Sequence, residues 1–169
     1  IQEFTQLGDG VIIQSPVYYP FTDGTINNGR IPKHNTLIEG EDGYYQMDFQ
    51  GLEELASDPN TKLLVLCNPH NPVGRVWTRE ELSRLFEICA AHDVIVFSDE
   101  IHADLVMSGH PHVTAGSLGE RFYDRLIVAY APSKTFNLAG LGASAIFVPD
   151  PALRARLQKR ISANRLPPS

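Results

Sequence analysis

Four side chains stand where apolar runs of this sequence stop, and their types suit chemistry on a carbonyl compound carrying a ring. Lys134 lies in Ala131-Pro132-Ser133-Lys134-Thr135-Phe136, after the run Leu126-Ile127-Val128-Ala129 and before a small-residue turn containing Gly140. A lysine amine attacks a carbonyl only when neutral. Partial desolvation at a strand end favours that form, so Lys134 is a candidate for Schiff-base formation. Asp99 follows Val94-Ile95-Val96-Phe97-Ser98. A carboxylate there can pair with a protonated ring nitrogen and so keep the ring an electron sink. Asn71, set among the prolines Pro69 and Pro72, can donate its amide to a phenolic oxygen, with the prolines restricting the loop. Tyr18, after Ser15-Pro16-Val17, can stack on a ring. Each also has an ordinary explanation: a solvated lysine, a helix cap, a turn asparagine, a core tyrosine.

The elements that must position these residues are legible from periodicity. Val11-Ile12-Ile13-Gln14, Leu63-Leu64-Val65-Leu66-Cys67, Val94 to Phe97, Leu126 to Ala129 and Ala145-Ile146-Phe147-Val148 are short continuous apolar runs. That pattern predicts strands covered on both faces. Lys33 to Ile38 predicts a further strand. Tyr19 to Asn28 predicts a helix stopped by Gly29, and Phe49 to Ala56 predicts another with Phe49, Leu52 and Leu55 on one face. Thr78 with Glu81 forms a capping-box signature, followed by Leu82, Leu85, Phe86 and Cys89 at helical spacing. Asp150 and Pro151 open a last helix whose inward face is expected to carry Leu153, Leu157 and Ile161. Strands alternating with amphipathic helices predict an α/β fold, a three-layer α/β/α sandwich around a mostly parallel sheet. In such sheets ligands bind beyond the strand ends, which is where Asn71, Asp99 and Lys134 fall.

Composition narrows the function classes. The chain has 169 residues, 43% hydrophobic and 20% charged, with a formal net charge of −6. No lysine/arginine-rich run supports nucleic-acid binding. No apolar run approaches the ~20 residues of a membrane-spanning helix, and the first residues lack a signal-peptide pattern. Cys67 and Cys89 are far apart in apolar stretches and are expected to be reduced core residues, which suits a cytoplasmic protein. A metal site drawn from Asp99, Glu100, His102, Asp104, His110 and His112 is disfavoured: the spacing matches no helical His-x-x-x-His pair, and on an extended segment Asp99 and His102 would point apart. His110-Pro111-His112 is expected to be an exposed loop.

Three motifs in order carry a resemblance. Asn68-Pro69-His70-Asn71-Pro72-Val73-Gly74, Ser98-Asp99-Glu100-Ile101-His102 and Ser133-Lys134-Thr135-Phe136-Asn137-Leu138-Ala139-Gly140 resemble the signatures of fold-type I, pyridoxal-phosphate-dependent aminotransferases. The likeness covers essentially the whole chain. The run from Asn68 to Trp77, the histidine at 102 and the segment Pro16 to Phe21 look like the MalY/PatB group of carbon–sulfur lyases. The resemblance implies pyridoxal 5'-phosphate as cofactor, held by Lys134, which would also take the substrate's α-proton. It implies Asp99 on the pyridine nitrogen, Asn71 on the ring oxygen with His102 nearby, Tyr18 stacked on the ring, and Ser133 as a phosphate contact. The reaction implied is α,β-elimination from cystathionine- or cysteine-type amino acids to pyruvate, ammonia and a thiol. A class I/II aminotransferase is the alternative, and a regulator keeping the fold without turnover is a reading of another class.

Two positions depart from the pattern. Gly142 stands where many relatives carry a phosphate-binding arginine, and Ala131 where many carry serine. The chain opens without methionine on a segment that runs directly into a strand, and both ends are expected to be cuts through a larger protein. Residues 1–165 then form the central part of a cofactor-binding large domain, incomplete without an N-terminal segment and a C-terminal small domain. The full-length protein is expected to be a homodimer, and this piece alone inactive.

Overall fold

The computed structural model describes residues 1–163. Its elements run β1 (Gly10–Ile13), α1 (Pro20–Asn27), β2 (Ile31–His34), β3 (Ile38–Glu39), β4 (Tyr45–Gln46), α2 (Phe49–Ala56), β5 (Thr61–Cys67), α3 (Arg79–Ala91), β6 (Ile95–Asp99), β7 (Leu126–Tyr130), β8 (Ala145–Phe147) and α4 (Pro151–Ala163). Six strands form one sheet in the order β2-β1-β5-β6-β7-β8. Every neighbouring pair is parallel except β7 and β8.

Strand alternation divides the apolar runs between two faces. Ile12, Leu64, Leu66, Val96, Leu126 and Val128 face α2 and α3 and pack on Leu52, Ala56, Leu82, Leu85 and Phe86. Burying each leucine or phenylalanine there contributes about 2 kcal/mol before entropy is counted. The capping box predicted at Thr78 and Glu81 is present and starts α3. Val11, Ile13, Leu63 and Val65 face the other way, toward Phe21 of α1. Ile127 and Val148 meet Leu153 of α4 on that same side. Helices on both faces of the sheet make the α/β/α sandwich predicted. The α1/α4 face is the thinner: an apolar cavity of about 480 Å³ opens between α1, the sheet residues Leu63, Val65, Phe97 and Ile127, and α4.

Three expectations are corrected. The strand predicted over Lys33 to Ile38 ends at His34, because Asn35 turns the chain: its N–H donates to Ile13 O at 3.0 Å and its amide to Asp48 O at 2.9 Å. Ile38–Glu39 instead pairs antiparallel with Tyr45–Gln46. The run Ala145 to Phe147, expected to be buried, is an exposed edge strand antiparallel to β7, with Ile146 45% and Phe147 54% exposed. Ile161 is exposed, although Leu153 is buried and Leu157 partly so. Among the described residues no helix is long and apolar enough to cross a membrane.

Candidate active site

The parallel register brings three strand ends together. Cys67 of β5 and Ala129 of β7 flank Asp99 of β6. Leaving β5, the chain forms a tight turn: His70 N–H donates to Arg75 O and Gly74 N–H to His70 O, both at 2.8 Å. Gly74 takes a φ of +74°, a left-handed conformation that costs glycine little. The Cys67 thiol donates to Pro69 O at 3.3 Å and accepts the Asn71 N–H at 3.4 Å. Burial pushes that thiol up to about 12, so it is a neutral structural group. Trp77, fully buried, donates its indole N–H to Cys67 O at 3.0 Å and meets the His70 ring edge-on at 5.5 Å.

This turn also holds Tyr18. Its N–H donates to Asn71 O at 3.0 Å, and His70 Nε2 lies 3.0 Å from Pro16 O, which requires a proton on Nε2. Burial pushes the His70 imidazole below its ordinary range, consistent with a neutral ring. Tyr18 and Asn71 are therefore fixed to each other through backbone. The Tyr18 ring is 47% exposed and free to meet a partner.

At the end of β6, two adjacent carboxylates go to opposite sides. Asp99 faces the strand ends and accepts the Ile101 N–H at 3.1 Å on Oδ1. Burial raises its carboxyl above the usual range, and the Glu100 charge adds to the rise, while the Ile101 N–H and His102 oppose it. His102 is lowered, chiefly by burial, with Asp99 opposing and the Lys134 charge adding. His102 is thus close enough to feel the charges of both Asp99 and Lys134. Glu100 turns inward, accepting Ser98 Oγ at 3.0 Å, Ala115 N–H at 2.9 Å and His112 Nε2 at 2.9 Å. Burial alone would push Glu100 up, but His112, the Ala115 N–H and Thr114 outweigh it and hold the carboxyl below its ordinary range. His112, expected in an exposed loop, has a side chain only 12% exposed because it serves Glu100; His110 is exposed.

Lys134 departs from expectation. Its side chain is exposed rather than partly desolvated. The segment after β7 is a series of turns, with Phe136 N–H donating to Pro132 O at 2.9 Å and Leu138 N–H to Ser133 O at 3.1 Å. Its apolar side chains Phe136, Leu138 and Leu141 are 62%, 41% and 64% exposed and supply no cover. Ser133 is half-buried and, among the described residues, its hydroxyl is joined to none of the other candidates. Gly142 is exposed with a φ of +61°.

Several contributors went unnoticed in the sequence. A cavity of about 460 Å³ adjoins Asn71 and His102 and is bounded also by Tyr44, Arg75, Leu105 and Met107. Arg75 is buried, pairs with both oxygens of Glu81 at 2.7 and 2.8 Å, donates to Tyr45 O, and stacks near the Tyr44 and Trp77 rings at 4.1 and 4.5 Å. Alternating turn and strand residues gave no sign of this clamp. Among the described residues no group of three His, Cys, Asp or Glu side chains stands close enough to hold a metal ion.

A mostly parallel α/β sheet carries these polar residues at or just beyond its strand ends, and the chain belongs to the family "Aminotransferase class I and II", whose model matches residues 3–167. Among its relatives, cystathionine beta-lyase PatB of Bacillus subtilis (strain 168) is 50% identical over 166 residues, 98% of this chain and 43% of that protein. Protein MalY of Escherichia coli (strain K12) is 34% identical over 141 residues, 83% of this chain and 35% of that protein. The crystal structure of cystalysin from Treponema denticola, which contains pyridoxal 5'-phosphate, superposes with a TM-score of 0.92 at 48% identity, covering 95% of this chain and 41% of that one. The chain thus spans less than half the length of these relatives.

The residues present fit pyridoxal phosphate. Asp99 is a desolvated carboxyl raised above its range, the state that a cationic ring nitrogen would relieve. Tyr18 and Asn71 already share a backbone bond, and the Asn68 N–H of the same turn donates to Asp99 O at 2.9 Å.

Proposed function

We propose that the full-length protein is a pyridoxal-phosphate-dependent carbon–sulfur β-lyase acting on cystathionine- and cysteine-type amino acids. The observation that carries this reading is Asp99: a partly buried carboxylate at a strand end, whose neighbour His102 feels both its charge and that of Lys134. Likeness to PatB at 50% identity favours the lyase over the transaminases of the same family. When bound, the cofactor supplies the electron sink that stabilises negative charge at the substrate's α-carbon.

The chain's own residues do the rest. Lys134 would hold the cofactor through its Nζ, and its amine would be the base placed to accept the substrate's α-proton. Asp99 would keep the ring nitrogen protonated. Asn71 would donate its amide to the ring oxygen, with His102 beside it. Tyr18 would lay its exposed ring against the cofactor, and Ser133 would donate its hydroxyl to the phosphate. With the cofactor bound, the site would support loss of a β-thiolate, which takes the electron pair of the broken carbon–sulfur bond, with water taken up to give pyruvate and ammonia. Residues 1–165 form the central part of the cofactor-binding large domain of a cytoplasmic homodimer. The two buried free thiols, Cys67 and Cys89, support a reducing compartment.

The test is product analysis with the full-length protein, L-cystathionine and added cofactor. The lyase reading expects pyruvate in amounts equal to the thiol released and independent of any 2-oxo acid. Amino transfer that requires a 2-oxo acid, without pyruvate, would replace it with an aminotransferase.

A further inference from the structure

We infer that Asp104 is a positioning residue: one of its carboxylate oxygens ties the Lys134 loop to the turn that carries His102. Oδ2 accepts both the Tyr130 hydroxyl at 2.6 Å and the Thr135 hydroxyl at 2.9 Å. Tyr130 closes β7, and Thr135 is the residue after Lys134. Asp104 itself sits in the turn after β6, where Leu105 N–H donates to His102 O at 2.9 Å. One atom therefore joins the end of β7, the lysine loop and the His102 turn.

The need for such a tie is visible in the loop. Its amides close only local turns, and its apolar side chains are exposed. Two hydroxyl donors converging on one oxygen suit an ionised acceptor, because charge-assisted bonds are shorter and stronger than neutral ones. These contacts hold the Asp104 carboxyl below its ordinary range, the Tyr130 bond contributing most, and the Asp104 contact in turn raises the Tyr130 phenol.

This inference rests on Lys134 being the cofactor lysine, so its test has a readout apart from turnover. Hydrogen exchange is followed in the full-length protein without cofactor, and the growth of the visible cofactor band is timed after pyridoxal phosphate is added. Asp104→Ala is expected to speed exchange over 133–138 about tenfold, the loss of two modest hydrogen bonds, and to slow growth of the band. Exchange in α3 stays unchanged. Asp104→Asn, which keeps an acceptor but not the charge, falls between. Unchanged exchange over 133–138, or an equal rise in α3, would overturn the role of Asp104. If Lys134→Ala still trapped cofactor under borohydride, the Lys134 assignment would fail instead, leaving the exchange result intact.

Discussion

The two halves of the site are built differently. The Asn71–Tyr18 wall is braced from below: Trp77, His70, Cys67 and Arg75 are buried beneath or beside it, and backbone bonds join its two members. The Lys134 loop rests on local turns and on the contacts to Asp104, with its side chains in the open. Asp99 stands between them at the end of the central strand β6. The contrast teaches which part of the cofactor site this chain folds by itself. The Asn71–Tyr18 turn, proposed to face the ring, is preorganised by the core, while Lys134, the proposed covalent anchor, lies on a loop.

The comparison breaks most severely at Trp77. Trp77→Ala removes a fully buried indole and its bond to Cys67 O. It should destabilise the full-length protein by about 4 kcal/mol, read by denaturant unfolding, and loosen the Asn71 turn while exchange over 133–138 stays as it was. Asp99→Asn comes next. Lyase activity should fall on the order of 100-fold, as when one partner of a desolvated pair is removed. The cofactor-free protein, by contrast, should gain stability. Because the folded carboxyl is raised, the charged form is penalised at neutral pH, and the penalty vanishes as pH falls through the folded value. The asparagine variant should therefore melt about 2 °C higher without cofactor, and lose that advantage in acid.

Glu100 predicts the opposite sign. Its carboxyl is lowered in the folded state, so its contribution is present above its unfolded value and is lost as pH falls through the folded one. Glu100→Gln should cost about 2 kcal/mol near neutrality, with the difference from the parent shrinking in acid titrations of stability. The smallest effect belongs to a pair outside both halves. Arg121 and Glu87 meet at 2.9 Å, but their side chains are 62% and 56% exposed. Glu87→Ala should change stability by less than about 0.5 kcal/mol and leave exchange in both halves alone.

Much of this architecture was legible in the residue pattern. Apolar runs placed β1, β5, β6 and β7, and the capping box placed α3. Periodicity failed where tertiary partners decide. The Ala145 to Phe147 run reads as core, yet it lies at a sheet edge that no neighbouring strand of the described residues covers. His112 reads as loop, yet Glu100 draws it inward. Lys134 reads as desolvated from its place after a strand, yet desolvation depends on surroundings that the turn itself does not supply. Asp104 gave no signal, because its partners lie 26 and 31 positions away.

The central claim is that Lys134 holds the cofactor. The most direct measurement is borohydride reduction of the full-length protein loaded with pyridoxal phosphate, followed by peptide mapping, beside Lys134→Ala. The account predicts a single pyridoxyl-modified peptide containing Lys134, loss of the visible band on reduction, and neither band nor label in the variant. Label on another lysine, or a visible band that survives in Lys134→Ala, would contradict it.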